Sequence, residues 1–145
     1  MKKINYCKIT LPAKSVNEGY ARAAVAAFAA LADPTLEELS DIRTAVSEAV
    51  TNCIVHAYKE TAGLIYIDLA LTQENEVRIR IRDKGCGIAD IEKAREPLFT
   101  TAGEERSGLG FTVMESFSDK LTVRSAPGRG TTVTIVKRIR GKDVC

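Results

Sequence analysis

Tryptophan is absent from this chain of 145 residues, histidine occurs once, at position 56, and proline only four times. The four cysteines, Cys7, Cys53, Cys86 and Cys145, stand far apart without a CxxC pair. That spacing and the lone histidine argue against a zinc set or a disulfide framework and favour a reducing compartment, the cytoplasm. Excess charge of one sign is also missing. Lys and Arg number 21 against 19 Asp and Glu, a formal net charge of +2, and no run of like charges offers a nucleic-acid footprint. The longest apolar run, ARAAVAAFAALA at 21–32, is too short to span a bilayer and contains Arg22, so no membrane partner is expected. MKKINYCKITLP has lysines without an apolar stretch behind them, unlike a signal peptide.

What is present is an ordinary globular mixture, 45% hydrophobic and 28% charged, sized for one domain spanning residues 1–145. INYCKITL at 4–11 reads as a strand. An alanine-rich helix follows over 15–32, with Ser15 and Glu18 spaced as a capping box, and a second starts at Thr35 with the same spacing to Glu38 and runs to about Tyr58. LIYIDLALT and ENEVRIRIRD make a hairpin, and KLTVRS and TTVTIVKR flank the turn APGRG. Between them, residues 84–107 lack periodicity apart from a short helical piece, IADIEKA, and GFTVMESF at 110–117 reads as a short helix. A long irregular segment in so small a domain is usually functional. Hairpins without strand–helix alternation predict an α/β (α+β) two-layer sandwich: a mixed, mostly antiparallel sheet with helices on one face.

Four short patterns carry chemistry. In SEAVTNCIVHAY, Glu48, Asn52 and His56 recur every fourth residue, so they run up one side of the second helix. They border the apolar stripe of Ile42, Ala45, Val46, Ala49, Val50, Cys53 and Ala57, with Ser47 and Thr51 on the far side, toward water. In EVRIRIRDKGCG the apolar face of Val77, Ile79 and Ile81 continues into Asp83, and an inward carboxylate requires donors. Gly85 and Gly87 beside it permit a ligand to approach the backbone. ERSGLGFTV places Gly108 and Gly110 before a helix, where free N–H groups suit phosphate. The third glycine of a dinucleotide fingerprint is missing, and there is no P-loop. GRGTT, 128–132, turns the last hairpin into Thr131 and Thr132. Each pattern alone has a plain structural reading as a helix edge, a turn or a loop.

In this order the four resemble the GHKL family of ATPases, with the Bergerat nucleotide fold. ARAAVAAF, DPTLEEL, SEAVTN, RDKGCGI, EPLFTT, ERSGLGFTVME and GTTV resemble its branch of anti-sigma factors with serine kinase activity, the sporulation type more than the stress-response type. The resemblance implies ATP and Mg²⁺ as cofactors. It gives Glu48 the role of general base and Asn52 that of Mg²⁺ ligand, while His56 orients or packs. Asp83 would receive the adenine amino group, Gly85 and Gly87 would lie against the purine, and Thr131 would close the pocket through water. Residues 95–107 would form the ATP lid, where Thr100 and Thr101 reach phosphate oxygens. Arg106 would neutralise charge developing in transfer, unless it is a solvated loop arginine. Ser107, Gly108, Leu109 and Gly110 would offer N–H groups to the phosphates. Glu18 and Arg22 would dock the partners, a sigma factor and an anti-anti-sigma factor that is the phosphorylation substrate, and a homodimer is implied. Cys53 and Cys86 lie inside motifs without touching this chemistry. A histidine-kinase catalytic domain would need a helical pair with its own phosphoacceptor histidine. A sigma-binding module gated by nucleotide but lacking kinase activity would not need Glu48.

Overall fold

The computed structural model describes residues 2–57, 63–87 and 110–141. Strand β1 (Lys3–Pro12) leads into helix α1 (Val16–Ala29), which ends in a 3-10 turn over Ala30–Ala32. Helix α2 (Leu36–Asn52) continues as a π-helical turn over Cys53–Ala57. Strands β2 (Leu64–Thr72) and β3 (Glu76–Arg82), helix α3 (Gly110–Ser116) and strands β4 (Lys120–Ala126) and β5 (Gly130–Arg138) complete the order. The sheet runs β1-β2-β3-β5-β4, and each of its four ladders is antiparallel.

Register explains the core. Ile9, Ile67, Ile81, Val133 and Val123 oppose one another across all five strands. Because strand side chains alternate in direction, this row and its parallel neighbour, Cys7, Leu69, Ile79, Ile135 and Leu121, share the face against which the helices pack. Helix α2 lies between α1 and α3 and contributes Ile42, Ala45, Val46, Ala49 and Val50 to the core. The opposite sheet face is polar: Arg80 pairs with Asp68 at 3.0 Å, and Arg82 stands 5.0 Å from the Tyr66 ring centroid.

Local chemistry sets the helix ends. Thr35 caps α2 with the full reciprocal box. Its hydroxyl accepts from Glu38 N–H at 3.0 Å, and its own N–H donates to Glu38 Oε1 at 2.9 Å. The matching spacing at Ser15 forms no such box. Glu18 instead turns toward α2, where its Oε1 accepts from Ser47, and it also accepts from Arg22 at 3.4 Å. Ser47 and Thr51 are therefore half-buried between helices rather than facing water; the Thr51 hydroxyl donates to the Ser47 carbonyl at 2.7 Å. Between α1 and α2 the chain reverses at Asp33, whose left-handed φ of 56° an aspartate tolerates.

Glu38 has a second task. Its Oε2 accepts from Arg140 N–H at 2.7 Å and its Oε1 from Gly141 N–H at 3.1 Å, so one carboxylate joins the start of α2 to the chain beyond β5. Partial burial pushes its carboxyl up, but the N–H groups of Arg140, Thr35 and Gly141 outweigh that and hold its pKa below the usual carboxylate value. With the folded pKa depressed, the stabilisation is present above the unfolded pKa and disappears as pH falls through the folded one. Glu38→Gln presents an amide N–H to one of these donors and is expected to cost about 1–2 kcal/mol. Urea unfolding at neutral and acid pH measures it: the deficit against wild type shrinks as the medium acidifies.

Candidate nucleotide site

The site begins where the apolar rows of the sheet end. Two residues past Ile81, on the same face, Asp83 opposes Thr131, which opposes Ser125 in β4. Asp83 is 5% exposed. Its N–H donates to the Thr131 carbonyl at 2.9 Å, and its Oδ1 accepts from the N–H groups of Gly85 and Thr131 at 2.9 and 3.1 Å. These donors satisfy one oxygen of a buried carboxylate, as an inward acid requires. The Thr131 hydroxyl pairs with Ser125 Oγ at 2.8 Å, so within the protein Thr131 meets Asp83 through its backbone.

Asp83 Oδ2 faces α2, where it accepts from the Cys53 thiol at 3.6 Å. The expectation that Cys53 stays clear of the site is thus overturned. The α-helical register brings it onto the core side of α2, directly over the end of β3. Burial pushes the Asp83 carboxyl up, offset in part by the Gly85 and Thr131 N–H groups and the thiol. Burial also pushes the Cys53 thiol well up, and the neighbouring Asp83 charge adds to it, so the sulfur stays protonated.

Asn52 directly precedes Cys53, and Glu48 stands one helical turn before Asn52; both are half-buried. Gly110, at the start of α3, approaches them closely: a Cβ added there would lie 3.4 Å from Glu48 Oε2 and from both amide atoms of Asn52. Three of the residues singled out in the sequence therefore share one small volume, with Asp83 and Cys53 beyond it along α2. The row does not continue to His56 as an α-helix, because the π turn begins at Cys53. Such turns interrupt α-helices frequently at functional sites. Here the last residue of the turn, Ala57, uses its carbonyl to accept from Cys86 N–H at 2.9 Å, tying the helix end to the loop after β3.

The glycines around Asp83 have reasons within the protein itself. A Cβ on Gly85 would sit 2.3 Å from the Ala57 carbonyl oxygen, and one on Gly87, at φ +76°, 2.0 Å from that of Ala126. A Cβ on Gly130, at φ +87°, would lie 2.2 Å from the Asp83 carbonyl oxygen, so only glycine lets β5 press this close to the acid. Glu18 and Arg22 stand on α1, with side chains 23% and 45% exposed, and Glu18 meets α2 at Ser47, beside Glu48 in the chain. Thr100, Thr101, Arg106, Ser107, Gly108 and Leu109, the lid at 95–107 and the helical piece IADIEKA fall outside the described residues.

A buried acid at the end of β3 and a carboxylate–amide pair on α2 thus stand together between a helix and an antiparallel sheet. The family model that matches residues 11–137 is described as a histidine kinase-like ATPase domain. Over 144 residues, 99% of both chains, the protein is 54% identical to the anti-sigma F factor of Thermoanaerobacter sp. (strain X514). It is 48% identical to that of Bacillus subtilis (strain 168), covering 97% of this chain and 98% of the relative. The chain belongs to the anti-sigma F factor family of histidine kinase-like ATPase domains. Among solved structures, the RsbU and RsbW domains of a Mycobacterium tuberculosis protein superpose with a TM-score of 0.68 at 22% identity, over 97% of this chain and 35% of that one. The mycobacterial sensor histidine kinase MprB gives 0.59 at 16% identity, over 94% of this chain and all of its own. Both likenesses concern the fold alone.

Proposed function

We propose that this chain is an anti-sigma factor that holds a sporulation sigma factor of the F type and, using Mg²⁺ and ATP, phosphorylates a cognate anti-anti-sigma factor on serine in the cytoplasm. The observation that carries the reading is the placement of Asp83, Asn52 and Glu48 along one helix–sheet seam, in a chain 54% identical to an anti-sigma F factor.

The residues fit the nucleotide. Asp83 Oδ2, a buried acceptor whose donor among the described residues is only a thiol, suits the adenine amino group. Mg²⁺ would supply positive charge against the phosphates; it favours an octahedral shell of oxygens, so the Asn52 amide oxygen would hold it with phosphate and water oxygens completing the shell. Glu48 takes the proton of the attacking serine hydroxyl. Gly110, having no side chain, puts no Cβ at 3.4 Å from Glu48 Oε2 and the Asn52 amide. Ser107, Gly108, Leu109, Thr100, Thr101 and Arg106 are assigned to the phosphates from sequence. The phosphoserine formed carries about −1.5 to −2 charge, enough to end an association built on Glu18 and Arg22. A homodimer through the open sheet face is supported by exposed Ile4 and Tyr6 on the outermost strand, next to the arginine-bearing β2–β3 surface.

Incubating the immobilised chain with a cell extract, with ATP and then with ADP, tests the reading through mass spectrometry of what is retained. The expected result is a sigma factor in the ATP eluate and an anti-anti-sigma factor that acquires one phosphoserine. Retention of neither protein under either nucleotide overturns it.

A further inference from the structure

Asp83 divides its two oxygens between two tasks. Oδ1 is occupied by the Gly85 and Thr131 N–H groups at 2.9 and 3.1 Å. Oδ2 receives, among the described residues, the Cys53 thiol alone, at 3.6 Å. A thiol is a weak donor, so this oxygen keeps acceptor capacity to spare. The geometry points to Cys53 as a specificity-determining residue for the exocyclic amino group of the bound purine: its sulfur stands beside the oxygen left to receive that group, and its bulk limits what the amino nitrogen can carry. The inference rests on the nucleotide reading above and adds a side chain that the motif pattern passes over.

The sulfur has nowhere to retreat. Cys53 is 3% exposed, on the core side of α2 where the π turn begins, and its neighbours Val50 and Ile54 are buried with it. Interiors are packed densely enough that a single methyl group changes what fits. An unsubstituted amino group lays one N–H on Oδ2 and passes the sulfur. A substituent on that nitrogen competes with Sγ for the same space or gives up the bond to Oδ2. The thiol also differs from a hydroxyl in strength: it orients Oδ2 without competing strongly with the ligand for it.

Calorimetric titration of wild type, Cys53→Ala and Cys53→Ser with Mg-ATP and with Mg-N6-methyl-ATP tests the inference. All three proteins are expected to bind ATP, and wild type to prefer it over the N6-methyl analogue. Removing the sulfur is expected to shrink that preference roughly tenfold, the scale of one methylene-sized clash in a pocket. Cys53→Ser, with a smaller atom closer to the backbone, shifts the ratio less in the same direction, and carries the test alone if the alanine variant does not fold. An unchanged ratio in variants that bind ATP normally overturns the role of Cys53 and leaves the nucleotide reading standing. Failure of wild type to bind ATP at all defeats that reading and the inference with it.

Discussion

Asp83→Asn is expected to weaken adenine-nucleotide binding at least ~100-fold while the fold survives. The asparagine carbonyl can still accept from Gly85 and Thr131 N–H, the two bonds that Oδ1 makes now. Its NH₂ group then replaces Oδ2, turning the acceptor proposed for the adenine amino group into a donor. A hydrogen bond to a charged group contributes up to about 3 kcal/mol, and donor set against donor leaves both groups unpaired. Removing a buried charge meanwhile relieves a desolvation cost, so the variant is expected to unfold in urea no earlier than wild type. Calorimetry and urea unfolding on the same preparation separate these effects; near-native affinity would exclude Asp83 from the pocket.

The pH dependence follows from the same burial. The folded-state carboxyl titrates above its ordinary value because burial disfavours the charge. For an acid raised in this way, stability is fullest below the unfolded pKa and declines as pH rises through the folded one. On the proposed role of Asp83, nucleotide binding requires the ionised form and is expected to run the other way, weakening as pH falls through the raised pKa. Opposite slopes for stability and affinity are the signature of one buried acid serving a ligand at the expense of the fold.

Glu48→Gln is expected to leave ATP binding and sigma capture near wild type and to lower phosphoryl transfer by roughly 10²–10⁴-fold, the usual worth of a positioned general base. Glutamine keeps the shape of the side chain one turn before Asn52, so the space around Gly110 is preserved, but it cannot take the serine proton. Labelled ATP incubated with the purified chain and the anti-anti-sigma factor reads transfer directly. Undiminished labelling would remove Glu48 from that role. Loss of ATP affinity in step with activity would make it a binding residue instead.

Much of this site is legible in the sequence because its logic is local. Alternation along β3 puts Asp83 on the core face two residues past Ile81, and a four-residue spacing aligns Glu48 with Asn52. Thr35 and Glu38 announce their helix start correctly. What the pattern misses is long-range. Ser15 and Glu18 have the spacing of a cap, yet Glu18 is drawn across to Ser47, a partner 29 positions away. That contact also turns Ser47 and Thr51 from a solvent face into a helix–helix seam. The π turn at Cys53 leaves no mark on apolar periodicity, since one widened turn shifts the stripe less than a residue's width. Glycines 85 and 87 suggest room for a ligand, while the close atoms belong to Ala57 and Ala126. Cys53 reads as a small core residue, and only the register of α2 over β3 shows what its sulfur touches.

The most direct measurement is the crystal structure of this chain with a nonhydrolysable ATP analogue and Mg²⁺. The account predicts the adenine amino nitrogen within hydrogen-bond distance of Asp83 Oδ2, with the metal on the Asn52 amide oxygen. Density for the analogue elsewhere, with Asp83 Oδ2 bonded to Cys53 alone, would contradict it.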